Sequence, residues 1–357
     1  MKRKGNLYKD LLSDKAILSA VMKASKGKRN RPSVAKRLEN IEETISEIKE
    51  ILTSKSFTPS TMRTMTIHEY GKERLISKSP FFPDQIIHWL VMDAIRPLTE
   101  RGMDFATCGT VPGRGTSGAI KILRKWIRND PKGTKWCLKI DIHHYYQSID
   151  RSKLILKLRR LIKDDDMIDL ISRMVGGEGI GIPIGTYWSQ GMANFYLQRI
   201  DHFIKEKLGI GHTVRYVDDI VMLSSNRRKL MKAQKPLADE LAKEGVEMKS
   251  NWCVFQTSKR DIDFVGFRLH GNGRLSIRKR VWRMARRTIL RIKHHGIGLK
   301  RARRLISYNG WIRSTNSHII KERYLPLVSW KKATSLVSQS SRTEAKAKSQ
   351  RRVNNYA

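Results

Sequence analysis

The hydrophobic and polar positions of the N-terminal third predict helices followed by a hairpin. Apolar residues recur every three to four positions over 9–25 and 34–54, a spacing typical of helices with one buried face. Positions 60–78 alternate instead between apolar and polar residues around Gly71, which predicts two antiparallel strands. An apolar helix is expected between Pro80 and Pro97, and a second helix after a glycine-rich stretch at 109–118.

The central part of the chain alternates between strand and helix patterns. An apolar strand begins at Trp136 and runs into Asp141. Further patterns predict helices over 151–175, 186–203 and 226–244, and hairpins over 213–223 and 263–277.

The hairpin at 213–223 carries two adjacent carboxylates, Asp218 and Asp219, among apolar and β-branched residues. Its middle lacks the Asn-Gly or Asp-Gly dipeptide that is usual in hairpin turns. Two like charges repel each other when partly buried, and a bound divalent cation would remove that cost. This stretch alone is equally compatible with a solvated Asp-Asp pair at a hairpin tip.

Other segments carry weaker chemical signals. Asp141, at the end of a buried strand, is a poor core residue and a good ligand for Mg²⁺. The glycine-rich stretch 109–118 could turn backbone N–H groups toward a phosphate, although many such loops are plain turns, and the Gly-Lys-Ser/Thr ending of a P-loop is absent. His143-His144 has no further His or Cys at ligand spacing, which disfavours a transition-metal site.

Charge dominates the composition. The 357 residues include 72 Lys and Arg against 33 Asp and Glu, a net charge of +39, so a polyanion is the expected partner. Nucleic acid is the first candidate and an anionic membrane surface the second, but no apolar run approaches the ~20 residues of a membrane span. The basic start, Met1–Gly5, lacks the apolar stretch of a secretory signal, and three dispersed cysteines fit a reducing interior.

From Arg278 onward basic residues alternate with apolar ones, which predicts helices with a strongly basic face. The aromatics Trp282, Tyr308 and Trp311 in this region could fill a core or stack on bases. Taken together, one carboxylate at Asp141, two on a later hairpin and a basic region behind them are what two-metal phosphoryl transfer requires.

These stretches resemble the motifs of reverse transcriptases over about residues 64–269, with a thumb-like region to about 330. The similar segments are Leu138–Asp150 (first palm motif), Gly181–Asn194 (second), Tyr216–Asp219 (third), Lys249 (fourth), Phe264–Phe267 (primer-gripping hairpin), and Glu73–Ile76 and Gly109–Ser117 (fingers). The resemblance implies an α+β right-hand polymerase with fingers, a palm of antiparallel sheet with helices, and a small helical thumb.

The resemblance also implies a domain order. We expect an N-terminal helical extension, fingers, a palm with fingers contributions near 151–185, a basic helical thumb and a disordered basic tail. Their predicted bounds are 1–60, 61–135, 136–270, 271–332 and 333–357.

Residue roles follow from the same resemblance. Asp141 and Asp218 are expected to hold two Mg²⁺ ions (Mn²⁺ as an alternative), with Asp219 supporting and the Ile142 carbonyl as a further ligand. Lys249 is expected to donate a proton to pyrophosphate. The residues expected at the incoming dNTP are Lys72, Arg74, Tyr146 as a gate against the ribose 2′-OH, Ile184, Gly185 and Gln190. Those expected at primer and template are Arg114, Phe264, Gly266, Arg280, Arg283 and Arg287.

The second palm motif departs from the usual Gln-Gly…Ser-Pro, because this chain has Ile184-Gly185 and Ser189-Gln190. That variation resembles the reverse transcriptases of diversity-generating retroelements, which copy a template RNA with errors at adenines. Such an enzyme implies template RNA, a cDNA/RNA hybrid, dNTPs, a structured retroelement RNA and a basic pentameric accessory protein as partners, no membrane, and a cytoplasmic location in a bacterial or phage-infected cell.

Other functions remain open on these residues alone. The Ser-Gln variation also occurs in phage-defence reverse transcriptases of the abortive-infection type, whereas the signatures of retron enzymes are absent. Group II intron enzymes are disfavoured, because the length leaves little room for a maturase thumb and an endonuclease domain. An RNA-dependent RNA polymerase is disfavoured by Tyr146 and by Tyr-Val-Asp-Asp in place of Gly-Asp-Asp. A non-catalytic RNA-binding protein on a polymerase scaffold is disfavoured by the intact Asp141, Asp218 and Asp219.

Overall fold

A computed structural model describes residues 3–69 and 71–353. The chain forms two compact units, the first made of 1–122 and 136–254 and the second of 123–135 and 255–357. These units divide the chain differently from the predicted fingers, palm and thumb boundaries, which stay predictions.

The first unit holds most of the helices. In chain order they are α1 Leu7–Leu11, α2 Asp14–Ser25, α3 Pro32–Glu39, α4 Ile41–Thr53, α5 Ile86–Arg101, α6 Gly115–Asn129 (which runs on into the second unit), α7 Tyr145–Ser148, α8 Arg151–Arg159, α9 Asp165–Val175, α10 Tyr187–Tyr196, α11 Gln198–His202 and α12 Arg227–Lys243. Short π-helical turns lie at Phe81–Gln85 and Phe203–Lys207. Side-chain caps explain several helix starts, since Ser13, Asp150, Asp164 and Asn226 each accept a backbone N–H of the first turn.

The helix predicted over 151–175 is two helices, α8 and α9. The chain leaves the helix because Ile162 forms a parallel bridge with Lys4, and the Asp164 side chain then caps the start of α9. The helix predicted over 186–203 is similarly divided into α10, α11 and a π turn. Helical periodicity thus located these segments but not their breaks, which depend on contacts distant in sequence.

Two sheets lie in the first unit. Strands β1 Arg63–Glu69 and β2 Lys72–Lys78 form the predicted antiparallel hairpin. The larger sheet contains β3 Trp136–His143, β4 His212–Tyr216, β5 Asp219–Ser224 and β6 Glu247–Met248 in the order β4-β5-β3-β6, with β7 Cys253–Gln256 also pairing with β3. Strand β3 runs antiparallel to β5 and β6, and β4 runs antiparallel to β5. Strand β3 lies centrally, and its apolar residues Cys137, Leu138, Ile140 and Ile142 are fully buried.

The core of the first unit is one continuous apolar cluster. It joins side chains of the larger sheet to those of the surrounding helices, and its fully buried members include Ile140, Ile220, Met222, Trp188 and Leu237. Burial on this scale holds the polar ends of β3, β4 and β5 in fixed register.

The second unit contains a small sheet and four helices beyond the end of α6. Strands β8 Ile262–Phe264, β9 Phe267–Leu269 and β10 Leu275–Ile277 pair in the order β10-β9-β8, followed by α13 Lys279–His295, α14 Leu299–Arg313, α15 His318–Tyr324, a 3₁₀ turn Leu325–Leu327 and α16 Trp330–Val353. Its separate core includes Ile289, Leu305 and Ile312.

The prediction of a disordered tail from residue 333 differs from the structure, in which α16 reaches Val353. Ala333 is fully buried, and Leu336 and Val337 pack against the core of the second unit. These three residues share one helix face, which a composition rich in Ser, Lys and Arg concealed. Residues 354–357 of that predicted tail lie outside the described residues.

Within residues 3–69 and 71–353, none of the helices combines the length and the hydropathy that a membrane span requires.

Candidate active site

Three carboxylates converge where β3 passes the turn between β4 and β5. Asp141 in β3 is the cross-strand partner of Asp219, the first residue of β5. The Ile142 N–H donates to the Asp218 carbonyl over 3.3 Å, so Asp218 also lies beside β3. The antiparallel register therefore brings together Asp141, Ile142, Asp218 and Asp219, the four residues predicted to bind metal.

Two lysines lie among these carboxylates. The Lys139 Nζ is 3.3 Å from Asp219 Oδ1, and the Lys249 ammonium donates a hydrogen bond to Asp141 Oδ1. The Lys249 N–H also donates to the Asp141 carbonyl over 2.8 Å, which fixes the chain just after β6 against β3. Lys249, a predicted catalytic residue, is thus in contact with a predicted metal ligand.

The local electrostatics disfavour ionised carboxylates in the protein by itself. Burial raises the pKa of Asp218, the nearby charge of Asp141 raises it further, and Lys249 and Arg74 partly oppose this. Burial likewise raises the pKa of Asp219 to about 6, with Lys139 acting in the opposite direction. Since the lysines do not offset the whole effect, an additional cation would stabilise the charged forms.

The donor set suits Mg²⁺ in its chemistry. Among the described residues no group of three or more His, Cys, Asp and Glu side chains forms a complete metal site. Mg²⁺, however, is commonly bound through one or two carboxylates together with substrate phosphates. Asp141 and Asp218 can supply those carboxylates, and the Ile142 carbonyl stays a predicted ligand.

Tyr146 lies next to the carboxylates. Its pKa is raised above the ordinary value, mainly by burial and next by the charge of Asp218, so the phenol stays neutral. The Tyr146 carbonyl accepts the Ile182 N–H over 2.8 Å, which joins this residue to the segment before Ile184. A half-buried ring in this place is compatible with the predicted gate at the sugar of the incoming nucleotide.

The hairpin of β1 and β2 is attached to the second palm motif. The Ser77 N–H donates to the Ile184 carbonyl over 2.7 Å. Gly185 has φ +109°, and a Cβ there would lie 2.6 Å from Ile76 Cγ2 and 2.7 Å from the Ser77 carbonyl oxygen. Only glycine permits this approach, so Gly185 fixes the position of the strand that carries Arg74.

Two other predicted nucleotide-binding residues have different outcomes. The side chain of Lys72 lies outside the described part of the structure. The Gln190 backbone carbonyl accepts the Thr110 hydroxyl at 3.4 Å, and Gln190 lines a cavity of about 30 Å³ together with Tyr187 and Asn194. Its contacts therefore connect α10 to the loop before α6, and its role toward a nucleotide stays a prediction.

Of the predicted primer and template residues, Arg114 belongs to the first unit. Its guanidinium donates to the carbonyls of Asp104 (2.6 Å) and Thr107 (3.1 Å), so it supports the loop before α6. The structure thus gives Arg114 a loop-supporting contact that the sequence pattern does not predict.

The other predicted primer and template residues lie in the second unit. Phe264 is the last residue of β8, and Gly266 lies in the turn between β8 and β9. A Cβ on Gly266 would lie 2.1 Å from Trp311 Cη2. Trp311 therefore fills core space against the turn, the first of its two predicted roles. Three exposed arginines share one face of α13 at the spacing of helix turns: Arg280, Arg283 and Arg287.

Sequence reasoning missed two residues beside the carboxylates, Lys139 and Arg215. Lys139 lies two positions before Asp141 on the same face of β3. Arg215 is 1% exposed in β4, one residue before Tyr216. The available signal for both is a basic residue next to buried apolar strand residues, because a buried charge requires a partner.

The sheet order, the flanking helices and the carboxylates at the β4–β5 turn define the palm of a template-directed polymerase. The family model for "Reverse transcriptase (RNA-dependent DNA polymerase)" matches residues 63–269, and the chain belongs to this family. The predicted family and right-hand polymerase fold are thereby confirmed.

Curated relatives match over the same region. An "Uncharacterized 91 kDa protein in cob intron" of Schizosaccharomyces pombe is 27% identical over 216 residues, covering 56% of this chain and 26% of that protein. "Group II intron-encoded protein LtrA" of Lactococcus lactis subsp. cremoris is 26% identical over 174 residues, covering 46% and 28%. The chain thus spans about a quarter of the length of these relatives. Their names are those of intron proteins, a class that the sequence disfavoured, and not of diversity-generating retroelements.

A solved structure supports the fold. Apo telomerase from Candida tropicalis superimposes with a TM-score of 0.50 at 13% identity, over 82% of this chain and 59% of that one.

Proposed function

We propose that the protein is an RNA-directed DNA polymerase that extends a primer with dNTPs on an RNA template. The observation that carries this proposal is the pairing of Asp141 with Asp219 beside Asp218, within the segment that the reverse transcriptase family matches. The net charge of +39 supports a nucleic-acid substrate.

Asp141 and Asp218 would hold two Mg²⁺ ions (or Mn²⁺), assisted by Asp219 and the Ile142 carbonyl. When bound, these ions lower the pKa of the primer 3′-hydroxyl and stabilise the leaving pyrophosphate. We assign Lys249 as the donor of a proton to pyrophosphate, because its ammonium lies at the Asp141 carboxylate.

Two side chains would orient the nucleotide. Tyr146 would exclude a ribose 2′-hydroxyl, because its half-buried ring lies near the Asp218 carboxylate. Arg74 would bind the triphosphate, because its positive charge also acts on Asp218 and its strand is fixed at Gly185.

Primer extension on an RNA template with Mg²⁺ tests the proposal. The wild-type protein should incorporate dNTPs in preference to NTPs, and Asp218→Asn should lower extension by more than about 100-fold. Asp239→Asn is the matched control, because Asp239 is an exposed acid paired with Lys235 in α12. Extension retained by Asp218→Asn would remove the site assignment.

The same assay separates the alternatives. Equal use of NTPs would favour an RNA-dependent RNA polymerase. RNA binding by the wild-type protein without extension under any metal condition would favour a non-catalytic RNA-binding protein.

A narrower proposal concerns fidelity and the source of the template. The motif Ile184-Gly185…Ser189-Gln190 favours the error-prone enzyme of a diversity-generating retroelement, which would act with a structured RNA and a basic pentameric accessory protein. An aliphatic Ile184 lacks the amide that could support discrimination between bases. If so, Ile184→Gln should reduce misincorporation at template adenines, measured by sequencing the cDNA.

The relatives' names point to a second source of template, an intron RNA. Sequencing the RNA that copurifies with the protein, and the cDNA made on it, distinguishes the two. A repeat RNA copied with adenine errors supports the retroelement, whereas an intron copied faithfully excludes it. For a phage-defence enzyme we expect neither a repeat RNA nor an intron RNA among the copurified templates.

A further inference from the structure

The turn that presents Asp218 contains a strained backbone. Val217 has φ +59°, although it is β-branched. Side chains rarely adopt this left-handed conformation, least of all β-branched ones, so neighbouring groups must hold it. The neighbours of Val217 are therefore the place to look for residues that position the carboxylate.

Arg215 is one of these neighbours. Its Nη1 donates to the Val217 carbonyl over 3.0 Å, and its Nη2 donates to the Asn194 carbonyl over 3.0 Å. The Val217 carbonyl belongs to the peptide that joins Val217 to Asp218. Orienting that peptide restricts the backbone from which the Asp218 side chain projects.

The Arg215 guanidinium is itself held in place. Its Nε and Nη2 each lie 2.7 Å from an oxygen of Asp201, a bidentate pair in which the side chains are 1% and 3% exposed. The Thr107 hydroxyl donates to the same carboxylate over 2.7 Å. Asp201 thus holds the planar guanidinium, and Thr107, distant in sequence, holds Asp201.

Gly109 lies against the same turn. A Cβ at this position would lie 2.5 Å from Val217 Cγ2 and 2.7 Å from the Val217 nitrogen. The Asn194 side-chain amide donates to the Gly109 carbonyl and, over 3.0 Å, to the Thr110 hydroxyl. Asn194, whose carbonyl accepts a hydrogen bond from Arg215, therefore also holds the loop at Gly109 against the turn.

A buried ion pair is weak evidence of stabilisation, because removing two charges from water offsets their attraction. Its geometric effect is clearer, since the guanidinium that Asp201 holds donates to the Val217 carbonyl of the strained turn. We infer that Arg215, held in place by Asp201, is a positioning residue. It fixes the Val217–Asp218 peptide and so orients the Asp218 carboxylate toward the ion that it would bind. This inference rests on the proposed function for its catalytic consequence only.

Arg215→Lys is the primary test. A lysine can keep the ion pair with Asp201, but its compact ammonium lacks the planar fork whose separate nitrogens reach Asp201 and both carbonyls at once. We expect kcat for primer extension to fall about 10- to 100-fold while the KM for dNTP stays within about 2-fold. The control is Arg199→Met, because Arg199 is 67% exposed on its side chain, pairs with Glu240 and lies in the same unit.

Hydrogen exchange gives a measurement that does not need polymerase activity. The Ile142 N–H donates to the Asp218 carbonyl, so the exchange rate of the Ile142 amide reports whether the Asp218 backbone stays in place. In Arg215→Lys we expect the Ile142 amide to exchange about 10-fold faster or more, while the other amides of β3 keep their rates. The double variant Arg215→Met/Asp201→Leu, which removes both charges together, should show the same local change.

The outcomes are separable. Unchanged Ile142 exchange, or a kcat equal to that of the wild type, overturns the positioning role. Faster exchange throughout β3 in both variants also overturns it, because the pair would then support only the fold. If the wild-type protein does not extend primers, the proposed function is wrong. Hydrogen exchange at the Ile142 amide then still tests whether Arg215 positions the Asp218 backbone.

Discussion

The Lys139 ammonium lies 3.3 Å from the Asp219 carboxylate, and both side chains are about three-quarters buried (25% and 22% exposed). Removing the lysine leaves a largely buried carboxylate next to Asp141 without this partner. We expect Lys139→Met to lower the free energy of unfolding by about 1–3 kcal/mol at neutral pH, measured by urea denaturation. It should also raise the pKa of Asp219, because Lys139 acts to lower it.

A double variant isolates this interaction. Lys139→Met/Asp219→Asn should recover much of the lost stability, since the amide carries no charge to desolvate. Lys157→Met is the comparison, because it breaks a similarly buried pair with Glu244 at 2.8 Å. Recovery by Asp219→Asn in the Lys157→Met background as well would show that the effect is not specific to Lys139.

Gly185 should tolerate no side chain. Gly185→Ala places a Cβ within 2.7 Å of the Ser77 carbonyl oxygen at φ +109°, so we expect the Ser77–Ile184 hydrogen bond to break. The KM for dNTP should rise about 10-fold or more, because the strand carrying Arg74 loses its anchor. Steady-state primer extension measures the KM.

A matched glycine separates steric conflict from backbone strain. Gly177 also has positive φ (+67°), but nothing lies within 4 Å of the position that a Cβ would take there. Gly177→Ala should therefore destabilise the protein by about 1 kcal/mol without changing the KM. Equal KM changes in the two variants would refute the anchoring role of Gly185.

His88 should make the stability depend on pH. Burial lowers its pKa from 6.5 to about 4, because α5 packs the imidazole against Trp188 at 6.3 Å between ring centroids. The unfolded chain binds a proton as the pH falls below 6.5, whereas the folded chain does not until about pH 4. Stability should therefore be lost over this window, by up to about 3 kcal/mol, and be unaffected by His88 above it.

Unfolding at several pH values measures this dependence. His88→Phe keeps an aromatic ring and should flatten the slope between pH 6.5 and 4. His318→Phe changes an exposed histidine and should leave the slope as it is. A slope that persists in His88→Phe would assign the titration to another group.

Gly266 and Trp311 should be energetically coupled. Gly266→Ala forces its Cβ to within 2.1 Å of the indole at φ +91°, so we expect a loss of about 2–3 kcal/mol. Trp311→Phe should reduce that loss by making room, although it costs stability alone through a cavity. A double-mutant cycle followed by calorimetry checks this, and additive losses would mean that the two residues are independent.

The sequence located Asp141, Asp218 and Asp219 because each interrupts a local apolar pattern that itself predicts a strand. It could not locate the Arg215–Asp201 pair, because no local period relates a strand residue to one in α11. The composition from residue 333 predicts a disordered tail, since the apolar residues that pack toward the core, among them Ala333, Leu336 and Val337, are few among polar ones. Residues that stand out within their own segment could thus be predicted from the sequence, whereas contacts between distant segments could not.

The network behind the turn at Val217 also constrains how this sequence can change over evolution. Arg215 needs Asp201 for its charge, and the close approach of Gly109 needs the turn that Arg215 holds. A substitution at one position leaves a buried charge or a steric conflict at another. These positions should therefore be inherited as a set, so that relatives either keep all of them or replace several together.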